Sequence, residues 1–130
     1  MKLLTREDLD AINDLKFEDV PVPEWGDGVG VRVRMLTASE RDAYEASSID
    51  KEGNFTQVDL RARLLSRCLV DESGNRLYSD LDMKVLGAKS AKACERLFNV
   101  ATRLNAMTQA DLDELEKASG VDQANAGNSN

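Results

Sequence analysis

At five places that could open a helix, a serine or threonine is followed three residues later by an acid: Thr5 and Asp8, Thr37 and Glu40, Thr56 and Asp59, Ser79 and Asp82, Thr108 and Asp111. The spacing suits the first turn of a helix. The hydroxyl oxygen can accept a backbone N–H that has no partner inside the helix, while the acid reaches back to the cap residue and complements the positive end of the dipole. Aspartate is a weaker reciprocal partner than glutamate. Even so, five such starts, with another at or just after Ser90, predict about six short-to-medium helices. "TREDL", "TQVDL" and "TQADL" look alike for the same capping reason and do not mark a repeat, because the sequences between them do not match.

Between the first two helix starts the period changes. In "KFEDVPVPEWGDGVGVRVRML", Val20 and Val22 fall on one side of an extended run, and two prolines bar a helix interior. Val29, Val31, Val33 and Met35 then alternate with Gly30, Arg32 and Arg34, the period-two pattern of a half-buried strand. "GDG" at 26–28 supplies a permissive turn. The segment predicts strands near 17–24 and 29–36, paired antiparallel. Pro21 and Pro23 cannot donate to a ladder, so the first strand belongs at an edge.

A lone hairpin is marginal in water and must pack on helices. The two most amphipathic segments are its expected support. In one, Leu60, Leu64, Leu65, Cys68 and Leu69 line a face, with Arg61, Arg63 and Arg67 mostly away from it; in the other, Cys94, Leu97, Phe98, Ala101 and Leu104 do so. The fold class that follows is α+β, mainly α-helical, with an N-terminal hairpin packed on the helices. A chain of 130 residues is long enough for one core without disulfides or metal. We expect a single domain over 1–119, with the hairpin at 17–36 and a helical bundle over 38–118. Residues 120–130, whose one apolar side chain larger than alanine is Val121, read as a disordered tail.

A net charge of −7 and a pI near 4.6 repel phosphate backbones and anionic lipid surfaces, so neither nucleic acid nor a membrane is an expected partner. No apolar run has the length of a spanning helix, and "MKLLTREDLD" turns acidic too early for a signal peptide, which points to the cytosol. Two cysteines fit that compartment. The chain has no histidine, which removes the commonest general base and a common metal ligand. These features argue against an enzyme and against a bound metal or cofactor.

Two stretches imitate binding loops. "DESGNRLYSDLD", from Asp71 to Asp82, has the alternating oxygens of a calcium loop, but Arg76 stands where the glycine should be and the final ligand is a short aspartate. The same residues make a turn: Asp71 and Asn75 are turn formers, Gly74 takes a left-handed backbone, Leu77 and Tyr78 return the chain to the core, and Ser79 caps a helix. "GDGVG" lacks the strand–helix setting and the lysine of a phosphate loop. Cys68 and Cys94 sit on apolar stripes and read as core. Asp111, Asp113 and Glu114 read as a solvated helix start.

Trp25, beside the glycine turn, is either the anchor of the hairpin in the core or an aromatic kept for an interface. Arg32 and Arg34 share one face of the second strand, either solvated or turned to a partner. Tryptophan and arginine are enriched where proteins bind one another, so Trp25, Arg32 and Arg34 are the candidate protein-binding residues. Leu112 and Leu115, on a short amphipathic segment, could dock on the body or exchange with a partner.

The order of these pieces carries a resemblance. "VPVPEWGDGVGVRVRMLTASERDAYEAS", then the "CLVDESGNRLYSD" turn before the final helices, resembles the tail assembly chaperones of long-tailed bacteriophages, over roughly residues 3–118. The resemblance implies a non-enzymatic assembly factor of the bacterial host cytoplasm. It would hold the tape-measure protein while tail tube subunits polymerise, be absent from the finished virion, self-associate as a homo-oligomer, and often be extended by a ribosomal frameshift. Another small interaction protein or structural tail subunit is the alternative, followed by a carboxylate- or metal-dependent enzyme.

Overall fold

A computed structural model describes residues 1–107 of the chain. The segments from Thr108 onward, including the expected helix there, Leu112, Leu115, the acidic group 111–114 and the expected tail, lie outside the described residues. Five α-helices and three strands are formed among those described: α1 Arg6–Ala11, β1 Phe17–Pro21, β2 Gly30–Arg34, α2 Ala38–Ser47, α3 Leu60–Cys68, β3 Leu69–Val70, α4 Met83–Gly87 and α5 Ala91–Leu104. The architecture is α+β, with an antiparallel sheet in the order β1-β2-β3.

Most of the helix starts follow the capping chemistry. Thr5 and Thr37 each accept the amide of the third helical residue, Asp8 or Glu40, whose carboxylate accepts the cap amide in return. Ser79 accepts the amide of Leu81 at the start of a single 3-10 turn, Asp80–Asp82, that runs into α4, while its own amide donates to the Asp82 carboxylate, and Ser90 caps α5 through the amide of Ala93. Thr56 is the exception. Its hydroxyl accepts from Val58, and α3 begins only at Leu60, after Asp59 in a left-handed conformation. A tertiary contact wins over the local box there, as described below.

The hairpin is shorter than expected at both ends. Pro21 closes β1, and Pro23 opens a 3-10 turn, Pro23–Trp25, a position where the missing N–H costs nothing. β2 ends at Arg34 because the Leu36 amide donates to the side chain of Asn105, 2.8 Å away at the end of α5. The register pairs Val20 with Val31 and Glu18 with Val33, and β1 is an edge strand as its prolines require. Gly28, at φ 70°, makes the reversal in the region that suits glycine.

Leu69 and Val70 correct the helical reading of "RCLV". Leu69 is buried as expected, but the helix stops at Cys68 and the two residues form a third strand, pairing with Val33 and Arg32. One continuous core results. Val20, Val22 and Val33 from the hairpin meet Leu64, Leu65 and Cys68 of α3 and Leu97 and Ala101 of α5, with Tyr44 and Leu86 closing the sides. Phe98, Leu60 and Leu104 pack against its margin. Each fully buried leucine contributes on the order of 1.5–3 kcal/mol. The sheet therefore rests on α3 and α5, the two helices whose faces were expected to carry it.

Candidate protein-binding surface

The three candidate residues fall on two different parts of the hairpin. Trp25 ends the turn after β1 and packs, half-buried, against the core. Its neighbour Glu24 holds Arg96 of α5 through both carboxylate oxygens, at 2.5 and 2.6 Å, so the turn is tied to the helix beneath it. Hydrogen bonding to Arg96 holds the Glu24 carboxyl down at about 2. Trp25 is thus placed as the anchor of the hairpin.

Arg32 and Arg34 point away from the core, on the face opposite the buried Val33. Arg32 lies 3.8 Å over the half-exposed ring of Phe17 and donates to both oxygens of Asp19, at 2.7 and 3.0 Å. That bond lowers the Asp19 carboxyl below its ordinary range. The guanidinium also reaches the Glu72 carbonyl at 3.4 Å. A groove runs past these groups, and Arg32 and Arg34 both line it, with Asn13, Leu15, Phe17 and Val70. Arg34 has a different employment. It donates to both oxygens of Glu40, at 2.8 and 3.0 Å, and one of those oxygens accepts the Thr37 amide. The charge of Arg34 is committed to fixing the start of α2 on β2.

The acidic stretch from Asp71 is a turn closed by its own backbone. Asp71 accepts the amides of Ser73 and Asn75, Asn75 returns its carbonyl to the Asp71 amide, and Gly74 sits at φ 87°. Those backbone bonds, Asn75 first, lower the Asp71 carboxyl. Arg76 does not fill a cage; it donates to the Ser66 carbonyl at 2.9 Å and to Asp80 at 2.8 Å. Tyr78 packs on the core as expected, but Leu77 returns the chain by its backbone, donating to Leu69, with its side chain exposed. Among the described residues no group of three or more acids and thiols converges as a metal site. Burial pushes the Cys68 thiol up to about 12 and raises that of Cys94, so neither is poised as a nucleophile.

Sequence reasoning missed the most unusual side chain. Arg63, expected mostly away from the core, is 4% exposed, and Arg67 is buried beside it. Four neutral oxygens hold Arg63: the Val58 and Thr56 carbonyls at 2.9 Å, the Ser48 hydroxyl at 2.8 Å and the Ser47 hydroxyl at 3.2 Å. Burial lowers the pKa of the guanidinium from its ordinary value. The Thr56 carbonyl is drawn to this cation, which explains why Thr56 does not open α3. Arg67 donates to the Arg63 carbonyl at 2.7 Å and faces Asp80 at 3.7 Å. Only Arg61 of the three stays outward, paired with Glu95. A signal existed: two arginines four apart on a helix with apolar residues on both sides leave no wholly polar face.

Comparison with known proteins agrees with this architecture. A family model described as "Phage tail assembly chaperone" matches residues 7–118. Among solved structures, the tail assembly chaperone of bacteriophage HK97 superposes with a TM-score of 0.53 at 18% identity, covering 69% of this chain and 85% of that one. At that identity the likeness bears on the fold alone. No curated protein matches the chain. The family match spans the hairpin, the buried core and the helices that carry it, and the chain belongs to the phage tail assembly chaperone family.

Proposed function

We infer that this protein is a non-enzymatic chaperone of bacteriophage tail assembly that binds the tape-measure protein while the tail tube forms and leaves before the virion is complete. The observation that carries the reading is the family match across residues 7–118. The chemistry of the described residues is in keeping with it: thiols raised by burial, acids engaged in caps and ion pairs, and an acidic surface that limits aggregation while an apolar client is held.

The client surface in this reading is the outer face of the hairpin, where Phe17 and Arg32 offer an apolar ring beside a cation along an open groove. Trp25 holds that face from behind and Arg34 sets its edge against α2. The protein acts in the host cytoplasm, with the tail tube subunit a further contact, and as a homo-oligomer. No helix among the described residues is long and apolar enough to cross a membrane.

Purified phage particles test the reading. The tape-measure protein should be present in them and this chain absent. Stoichiometric retention of this chain would instead make it a structural subunit of the tail.

A further inference from the structure

The groove on the outer face of the hairpin holds more hydrogen-bond donors than the described residues engage. In the register of β1 and β2, Phe17 stands opposite Arg34 and Asp19 opposite Arg32, so the ring and both guanidiniums share one face. Asn13 and Leu15, ahead of β1, and Val70 with the turn after it complete the lining. The volume is about 320 Å³, room for a side chain and part of its neighbour.

Arg34 is short of acceptors. Its side chain is 17% exposed, and Glu40 takes only Nη2. The Nε is buried with no partner, and Nη1 makes no hydrogen bond among the described residues. A buried donor without an acceptor is rare in folded proteins and costs the desolvation of the group. Arg32 also has a nitrogen to spare. Asp19 holds its Nε and Nη2, while Nη1 reaches only the Glu72 carbonyl at 3.4 Å, beyond the usual length of such a bond. Asn13 accepts the Leu15 amide through its side-chain oxygen and leaves its NH2 group unengaged among the described residues.

The acids already present do not meet this demand. Asp19 and Glu40 are engaged by other nitrogens of the same two arginines. Glu72 is the one acid among the described residues that lines the groove, and its carboxylate pairs with neither arginine. The acceptor best matched to spare guanidinium N–H groups is a carboxylate. Partial burial strengthens such bonds, because less water competes for the donors. The net charge of −7 disfavours a polyanion, whereas a single carboxylate beside apolar side chains also suits Phe17 and Leu15.

We propose that this groove receives one acidic side chain of the client, an aspartate or glutamate next to a bulky apolar residue. Its carboxylate accepts from Nη1 of Arg32 and Nη1 of Arg34, and the apolar neighbour lies against Phe17 and Leu15. Asp19 and Glu40 hold the two arginines in place for it. The inference gives the client segment its chemistry, and rests on the reading above for the client being the tape-measure protein.

Overlapping peptides that cover the tape-measure protein of the same phage test it, by fluorescence anisotropy against the full chain. The peptides are amidated at the C-terminus, so that only side-chain acids are read. Those that bind should share an aspartate or glutamate next to a bulky apolar residue. Replacing that acid by its amide should weaken binding by on the order of ten- to a hundredfold. Arg32→Gln, its folding checked by circular dichroism, should weaken the acidic peptide by a similar factor. The same variant should bind the amide peptide almost as wild type does, because both changes remove one bond. Bound peptides with no common acid, an amide replacement without effect, or one that costs as much in Arg32→Gln as in wild type would overturn the proposal. Capture of the whole tape-measure protein but of none of its peptides would overturn it too. If the full-length proteins still co-purify, the chaperone reading survives that failure; if they do not, it falls as well.

Discussion

The guanidinium of Arg63 lies 2.8 Å from the hydroxyl of Ser48, and its remaining hydrogen-bond partners are also neutral oxygens. A single buried cation thus joins the end of α2, the loop to residue 58 and the first turn of α3. Replacing it with methionine keeps the bulk but leaves two carbonyls and two hydroxyls without their donor. We predict a loss of about 2–4 kcal/mol in urea unfolding for Arg63→Met. Arg63→Lys should recover little of it, because an ammonium cannot reproduce the planar fork. An Arg63→Met protein as stable as wild type would show the cation to be incidental.

The turn after β3 makes a second prediction. Gly74 sits at φ 87°, so Gly74→Ala should cost about 1–2 kcal/mol from backbone strain alone. Asp71→Ala should also destabilise by removing the acceptor of the Ser73 and Asn75 amides. Millimolar calcium should leave the melting temperature of the wild type unchanged. A calcium-dependent rise that Asp71→Ala abolishes would reopen the loop as a metal site.

Arg32 and Arg34 should separate when each is changed to glutamate. Arg34→Glu places a carboxylate against Glu40 at the cap of α2 and should destabilise by about 1–3 kcal/mol. Arg32→Glu disturbs a contact on the outer face and should leave the fold nearly as stable while weakening client binding. Equal effects of the two on stability would contradict these roles.

Acid should weaken the hairpin's attachment. Glu24 titrates near 2 in the folded protein against an ordinary value of 4.5 because Arg96 bonds its charged form. A depressed folded-state pKa contributes stability that is complete above the unfolded value and lost as pH falls from there through the folded one. Unfolding measured against pH should therefore show stability falling between about 4.5 and 2. Glu24→Gln should be less stable at neutral pH and should lose less across that interval. The same slope in both proteins would remove Glu24 from the account.

Much of this architecture was legible in local chemistry. Thr5, Thr37, Ser79 and Ser90 cap as their neighbours dictate, the valine alternation makes the hairpin, and Leu97 and Ala101 face the core. Thr56 failed because its carbonyl is taken by Arg63, a residue remote enough that no local box registers it. Leu69 and Val70 suit a helix face and a strand equally, and the edge of β2 decides between them. Trp25, Arg32 and Arg34 are conspicuous in the sequence, but composition could not distinguish an arginine engaged by Glu40 from one lying over an exposed ring.

The central claim is that this chain holds a tape-measure protein during tail assembly. Co-expression with the tape-measure protein of the same phage, followed by purification of the soluble fraction, tests that claim most directly. The account predicts a soluble complex in which the two proteins co-elute, with the tape-measure protein insoluble when expressed alone and the yield reduced by Arg32→Glu. A tape-measure protein that stays insoluble and never co-elutes, with this chain and with any longer frameshifted form alike, would contradict it.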